Sequence, residues 1–210
     1  KVRAFYNGRG RTGYFDTKGI AKLTGEKWKF PTTDKTWGGY SGWNPVAPPA
    51  VAYNVVFFGD RRGTFYALDF ETGQLKWKQQ VAGCSGPAVV SGDKVYVFAG
   101  DTMYGFEAKS GRKTWEYKTS AHTSFAPNVV NGKVLFTSND GFIYAVDAKT
   151  GFEKWRCWPG DRILTGPSVE NGIAYVGLTK GIQAVDVETG EKLWHYKTKA
   201  GVHNHAVEDG

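Results

Sequence analysis

The sequence predicts an all-β fold, a β-propeller of four-stranded blades, and three observations carry the prediction. The stretch Tyr66-Ala67-Leu68-Asp69-Phe70-Glu71-Thr72-Gly73-Gln74-Leu75-Lys76-Trp77 returns without gaps at Tyr104 to Trp115, at Tyr144 to Trp155 and at Ile182 or Gln183 to Trp194; a degraded copy ends at Trp28. The marker tryptophans Trp28, Trp77, Trp115, Trp155 and Trp194 are spaced by 49, 38, 40 and 39 residues. A period of roughly 40 residues excludes a simple two-layer sandwich and points to a repeat fold. Finally, helical periodicity is absent, and each unit reads as short strands separated by tight turns.

Each unit opens on a short strand marked by a proline: Pro49-Ala50-Val51, Pro87-Ala88-Val89, Pro127-Asn128-Val129 and Pro167-Ser168-Val169. In the unit from Pro87 to Thr119, the first strand is expected over Pro87 to Val90, with a turn at Ser91-Gly92-Asp93. Lys94 to Ala99 is a β-branched and aromatic second strand, followed by a turn from Gly100 to Met103. Tyr104 to Glu107 makes the third strand and Lys109-Ser110-Gly111-Arg112 a tight turn, glycine supplying the positive φ. Thr114 to Lys118 is the fourth strand, with Trp115 and Tyr117 alternating against Glu116 and Lys118. Four short strands per unit make a propeller blade.

Small residues accompany each tryptophan. Ala67, Gly105, Ala145 and Ala184 stand ten residues before their tryptophan, and Gly73, Gly111, Gly151 and Gly190 four before it. Both sets are expected to leave room for the indole of their own unit, whose ring stacks between blades. Burial there contributes about 2–3 kcal/mol per site. Asp69, Asp147 and Asp186, with Glu107 in the remaining copy, are placed to accept turn amides. These residues are scaffold, not a cofactor box.

The pattern Ala-x-Asp-x-x-Thr-Gly-x-x-x-Trp resembles the tryptophan-docking motif of the PQQ-like (quinoprotein) β-propeller repeat family. That family includes quinoprotein alcohol dehydrogenases and the propeller lipoprotein of the outer-membrane barrel-assembly machinery. The resemblance covers nearly the whole chain and implies the fold; catalytic and non-catalytic members share it. It also implies an extracytoplasmic location, periplasmic or at the cell surface.

The ends can be joined on paper. Ala206 to Gly210 reads as a first strand with its turn, and Val2 to Tyr6 as a second strand with no first strand before it. The expectation is therefore one domain over residues 1–210, a closed ring of five blades that removes exposed sheet edges. The expected blades are 206–210 plus 1–35, 49–83, 87–121, 127–160 and 167–200. The rival is a piece of a larger ring. A start at Lys1 rather than Met fits a processed product or a piece of a longer chain.

The chain of 210 residues carries 28 glycines and a net charge of +7. Its lysines are spread over the repeats, so a solvated surface is favoured over a nucleic-acid site. No apolar run is long enough to span a membrane as a helix. Cys84 and Cys157 occupy different repeat positions, which argues against a disulfide between them.

Polar and aromatic oddities gather in the loops between a blade's last strand and the next blade's first. These are Trp37, Tyr40 and Trp43 in the first such loop, His122 in the third, Trp158, Asp161, Arg162 and Thr165 in the fourth, and His203 and His205 in the fifth. In a propeller these loops share one face around the central channel, which makes that face the expected binding surface. Arg162 suits carboxylates or phosphates, and the tryptophans suit stacking or interface anchoring. His203 and His205 alternate on a strand and could ligate a metal, but a solvated pair is the simpler expectation. Asp161 beside Arg162 reads as a surface ion pair. The family's enzymes usually stack adjacent cysteines on the quinone, and no Cys-Cys pair occurs here; no other catalytic motif is found. PQQ and any other cofactor are therefore not expected, and catalysis is the minority reading. The favoured function is a cell-envelope protein-interaction scaffold. The alternative is a small-ligand module, binding glycan or quinone, or a fragment of a quinoprotein dehydrogenase.

Overall fold

A computed structural model describes residues 28–30, 47–60, 62–83, 86–122 and 125–203. Among these described residues, sixteen strands form four antiparallel sheets of four, each sheet in simple sequence order. Blade 1 holds β1 (Ala50–Ala52), β2 (Val55–Gly59), β3 (Thr64–Asp69) and β4 (Leu75–Gln80). Blade 2 holds β5 (Val89–Ser91), β6 (Lys94–Ala99), β7 (Thr102–Glu107) and β8 (Lys113–Lys118). Blade 3 holds β9 (Asn128–Val130), β10 (Lys133–Thr137), β11 (Ile143–Asp147) and β12 (Glu153–Cys157). Blade 4 holds β13 (Ser168–Glu170), β14 (Ile173–Leu178), β15 (Gly181–Asp186) and β16 (Lys192–Lys197). The third strand of blade 2 begins at Thr102 rather than Tyr104, because the turn before it needs only Gly100, at φ +63°, and Asp101.

The first strands line up side by side, β1 beside β5, β5 beside β9 and β9 beside β13. The hydrophobic core is therefore not one mass but three slabs, each between neighbouring blades. Val95 and Val97 of β6 face blade 1, whereas Tyr96 and Phe98 face blade 3. Likewise Val134 and Phe136 of β10 face blade 2, and Leu135 faces blade 4. With both faces buried, the second strand of a blade is apolar along its middle, and so Val95 to Ala99 and Val134 to Phe136 read as unbroken runs. The outer strands bury one face only, which is why Trp77 alternates with Lys76 and Lys78 in β4.

The tryptophans fasten one slab to the next. Trp28 Nε1–H donates to the carbonyl of Phe70 at 2.9 Å, Trp77 to Ala108 at 2.9 Å, Trp115 to Ala148 at 3.0 Å and Trp155 to Val187 at 3.0 Å. Every acceptor lies one blade further along the chain. This corrects the expected role of the turn glycines. A Cβ on Gly111 would stand 2.5 Å from the Trp77 ring, one on Gly151 2.7 Å from Trp115, and one on Gly190 2.6 Å from Trp155. Gly73 stands in the same relation to Trp28. Each turn glycine thus makes room for the tryptophan of the preceding blade. The small residue of the third strand does face its own tryptophan: Ala67 pairs with Trp77, Gly105 with Trp115, Ala145 with Trp155 and Ala184 with Trp194. In all four blades the register shifts immediately after that pair, a bulge that twists the outer strand where the indole leaves it.

The turn acids behave as their position predicts. Asp69 Oδ1 accepts the backbone N–H groups of Glu71 and Thr72, each at 3.0 Å, and Asp147 and Asp186 repeat the arrangement. Glu107, one methylene longer, instead takes the Ser110 hydroxyl and the Arg112 guanidinium. Asp69 and Asp147 are both lowered to about 2. At Asp69 the Thr72 amide is the main cause; at Asp147 burial acts upward and is outweighed by the Thr150 and Lys149 amides and Lys154.

Cys157 is a free, buried thiol whose pKa burial pushes up; Cys84 lies outside the described residues. Trp194 has no docked turn among the described residues and is 47% exposed, with Leu193 and Tyr196 also exposed on β16. Residues 1–27 and 204–210, on which the expected fifth blade and ring closure rest, lie outside the described residues. No helix of the described residues is long and apolar enough to cross a membrane.

Candidate functional site

The loops after β4, β8 and β12 are fastened to the next blade by backbone hydrogen bonds. The carbonyl of Gly83 accepts the Gly100 amide at 3.0 Å, that of His122 accepts Asn139 at 3.1 Å, and that of Arg162 accepts Thr179 at 3.0 Å. Gly83, His122 and Arg162 therefore occupy one equivalent position in three successive loops. His122 and Arg162 are both exposed, one blade apart on the same face. The sequence register could not reveal the carbonyl stitching that fixes these two backbones.

His122 has one side-chain partner, Asn139, whose Nδ2 lies 3.2 Å from its Nε2. His203 is exposed at the end of the described chain, beyond the Val202 amide that donates to the Leu178 carbonyl at 3.0 Å. No hydrogen bond or ion pair joins His122, Arg162 and His203 to one another among the described residues. Asp161 makes no ion pair with Arg162, correcting the sequence expectation. Its Oδ1 instead accepts the Arg162 backbone N–H at 2.7 Å. The adjacent Thr179 hydroxyl, that amide and the charge of Lys180 hold the Asp161 carboxyl below its usual range.

Thr165 leaves the set of candidate residues. It is buried, its hydroxyl accepts the Gly177 amide at 2.8 Å, and its carbonyl accepts the Thr137 hydroxyl at 3.0 Å, so it ties blade 3 to blade 4. Trp158 is the large aromatic on this loop, 57% exposed, with Lys192 Nζ 6.0 Å from its ring centroid. Beside it lies an open basin of about 790 Å³ bordered by Asp161, Lys180, Lys192, Trp194 and Lys197. Its rim is dominated by cations, which suits an acidic surface.

Trp37, Tyr40, Trp43 and His205 lie outside the described residues. Among the described residues, no three His, Cys, Asp or Glu side chains are grouped as metal ligands would be.

Comparison with known proteins follows the fold. No curated protein matches the chain. Among solved structures, BamB from Moraxella catarrhalis is 29% identical, with 69% of this chain covering 46% of that one at a TM-score of 0.61. The quinohemoprotein alcohol dehydrogenase ADHIIG from Pseudomonas putida HK5 is 23% identical, 71% of this chain covering 33% of it, TM-score 0.61. The computationally designed Ika8 protein is 20% identical, 77% of this chain covering 52% of it, TM-score 0.67. The last two share the fold alone, and the chain spans about half or less of each of these structures. The profile of the family described as outer membrane protein assembly factor BamB matches residues 19–156 and 121–209, so the chain belongs to this family of PQQ-like β-propellers.

Proposed function

We propose that the chain is a non-catalytic protein-interaction scaffold of the cell envelope, working outside the cytoplasm, with the loop face that carries His122, Trp158, Arg162 and His203 as its binding surface. The observation that carries this reading is the equivalence of His122 and Arg162. Two exposed polar side chains project from backbones fixed by the same interblade hydrogen bond, so little order remains to be imposed on binding. Trp158 supplies an exposed aromatic anchor, and the lysines beside it favour an acidic partner. Membership of the BamB family supports a role in outer-membrane protein assembly, and the likeness to BamB supports protein partners rather than a small substrate.

The test is site-specific photo-crosslinking in an envelope fraction, with the crosslinker placed in turn at His122, Trp158 and Arg162, and at Ser110 on the opposite ends of the strands. One partner captured from all three loop positions and not from Ser110 is expected. Trp158→Ala and Arg162→Ala should each weaken its affinity at least about tenfold. Capture from Ser110 with equal yield, or unchanged affinity in both variants, would sink the proposal.

A further inference from the structure

A groove of about 770 Å³ runs between blades 1 and 2 at the strand ends opposite the loop face. Tyr53, Val55 and Phe57 form one wall, and Ala108 and Lys109 stand on the other. Equivalent positions recur between the other blades, so the molecule contains its own controls. Val55, Lys94 and Lys133 are equivalent, each pairing with the turn acid of its blade: Asp69, Glu107 and Asp147. Lys109, Lys149 and Glu188 are equivalent too, each two residues before the turn glycine of its blade.

Between blades 3 and 4 the groove is bridged. Lys133 forms an ion pair with Glu188, and Asn131 Nδ2–H donates to Glu188 Oε1 at 3.1 Å. Between blades 2 and 3, Tyr96 of the second strand donates its hydroxyl to the Ala148 carbonyl at 3.0 Å and fills the floor. Between blades 1 and 2 neither device exists. Val55 stands in place of the lysine and Phe57, lacking a hydroxyl, in place of Tyr96. Lys109 stands where blade 4 has its glutamate, exposed and, like Lys149 of blade 3, with no side-chain hydrogen bond or ion pair among the described residues. The other charges at the groove are engaged: Lys76 with Asp69 at 3.1 Å, and Asp93 with Lys94 at 3.5 Å. Tyr53, 61% exposed, adds an aromatic rim.

We propose that this groove is a binding site for a small amphipathic carboxylate, whose apolar body lies on Val55, Phe57 and Ala108 and whose carboxylate pairs with Lys109. The charge argument is internal to the fold. Where the groove is bridged, Lys133 on one wall meets Glu188 on the other; here Val55 takes the first position and Lys109 the second, so a cation faces an apolar wall with no carboxylate opposite it. The size falls in the range of small-ligand sites, roughly 300–1,000 Å³. The site is separate from the loop face and does not rest on the scaffold reading.

The experiment uses the whole chain titrated with octanoate, followed by calorimetry and by methyl NMR of Val55. Saturable binding is expected, with 1-octanol, which lacks the charge, bound at least about tenfold more weakly. Lys109→Glu should weaken octanoate at least about tenfold. The double variant Val55→Lys, Lys109→Glu recreates the bridge of blades 3 and 4 and should abolish binding without lowering the thermal midpoint. Failure of octanoate to saturate the parent chain overturns the proposal. So does binding that survives in the double variant, equal binding of octanol, or binding only of a peptide with an acidic C-terminus.

Discussion

Gly151→Ala tests the assignment of each turn glycine to the tryptophan of the preceding blade. Gly151 has φ +74°, and an added Cβ would lie 2.7–2.8 Å from three atoms of the Trp115 ring. Gly132, in the same blade, has φ +70° but nothing within 4 Å of the added Cβ. Both alanine variants carry the left-handed backbone penalty of about 1–2 kcal/mol. Only Gly151→Ala must also push the indole aside. Trp115 is 6% exposed, so displacing it forfeits part of about 2–3 kcal/mol of burial. It also strains or breaks the bond to the Ala148 carbonyl, worth about 1 kcal/mol. The expected loss is thus about 3–5 kcal/mol for Gly151→Ala against about 1–2 kcal/mol for Gly132→Ala. Urea unfolding followed by tryptophan fluorescence and by far-UV circular dichroism measures both. Equal losses in the two variants would refute the docking argument, because they would leave only the shared backbone term.

The docked and undocked tryptophans should separate in the same assay. Trp155→Ala is expected to cost about 3–5 kcal/mol and Trp194→Ala less than half of that; equal costs would mean that a further blade covers Trp194. Acid should weaken the turns in a defined window. Asp69 and Asp147 titrate at about 2 when folded against an ordinary 3.8, so their contribution is full above about pH 4 and is lost as pH falls towards 2. Urea midpoints of the parent should therefore fall over that window, and Asp147→Asn should flatten part of the fall. A parent midpoint that stays level there would contradict the turn geometry.

The fold was legible because the repeat prints it in residues of unusual shape. Tryptophan, glycine and an acid at fixed offsets leave little choice of architecture, and continuous apolar runs such as Val95 to Ala99 mark strands buried on both faces. The neighbour to which a glycine belongs was not legible. Gly151 lies four residues from Trp155 in sequence yet packs on Trp115, since the indole crosses to the next blade. The bulge beside each tryptophan was hidden too, because register is a backbone property with no residue signature of its own here. At the candidate site, repeat offset led to the expectation of one shared loop face, and the backbone bonds of His122 and Arg162 are equivalent. It misjudged Thr165, whose hydroxyl looks the same in sequence whether it meets solvent or, as it does, a buried backbone amide. Asp161 and Arg162 failed as an ion pair for a related reason: the short aspartate side chain reaches the neighbouring backbone N–H without any need for the guanidinium.

The repeated and the unrepeated residues divide the labour of the molecule. Blades 1 to 3 each hand their tryptophan to the next blade's carbonyl and glycine, so these adjacent sheets are coupled by the same contact. That uniformity means the motif cannot distinguish one surface from another. Distinction comes from positions that keep the same geometry while changing residue: Gly83, His122 and Arg162 on the loop face, and Lys109, Lys149 and Glu188 at the opposite strand ends. At the second set, one bridge and two unanswered lysines arise from equivalent backbone sites. Exchange of side chains at those sites should therefore move a property from one groove to another without altering the blades. Placing Ala at both Lys133 and Glu188 should open the groove between blades 3 and 4 while leaving the Trp155–Val187 hydrogen bond in place. A change in the Trp155 indole N–H chemical shift as large as that caused by Gly190→Ala would show that rim and scaffold are not separable in this way.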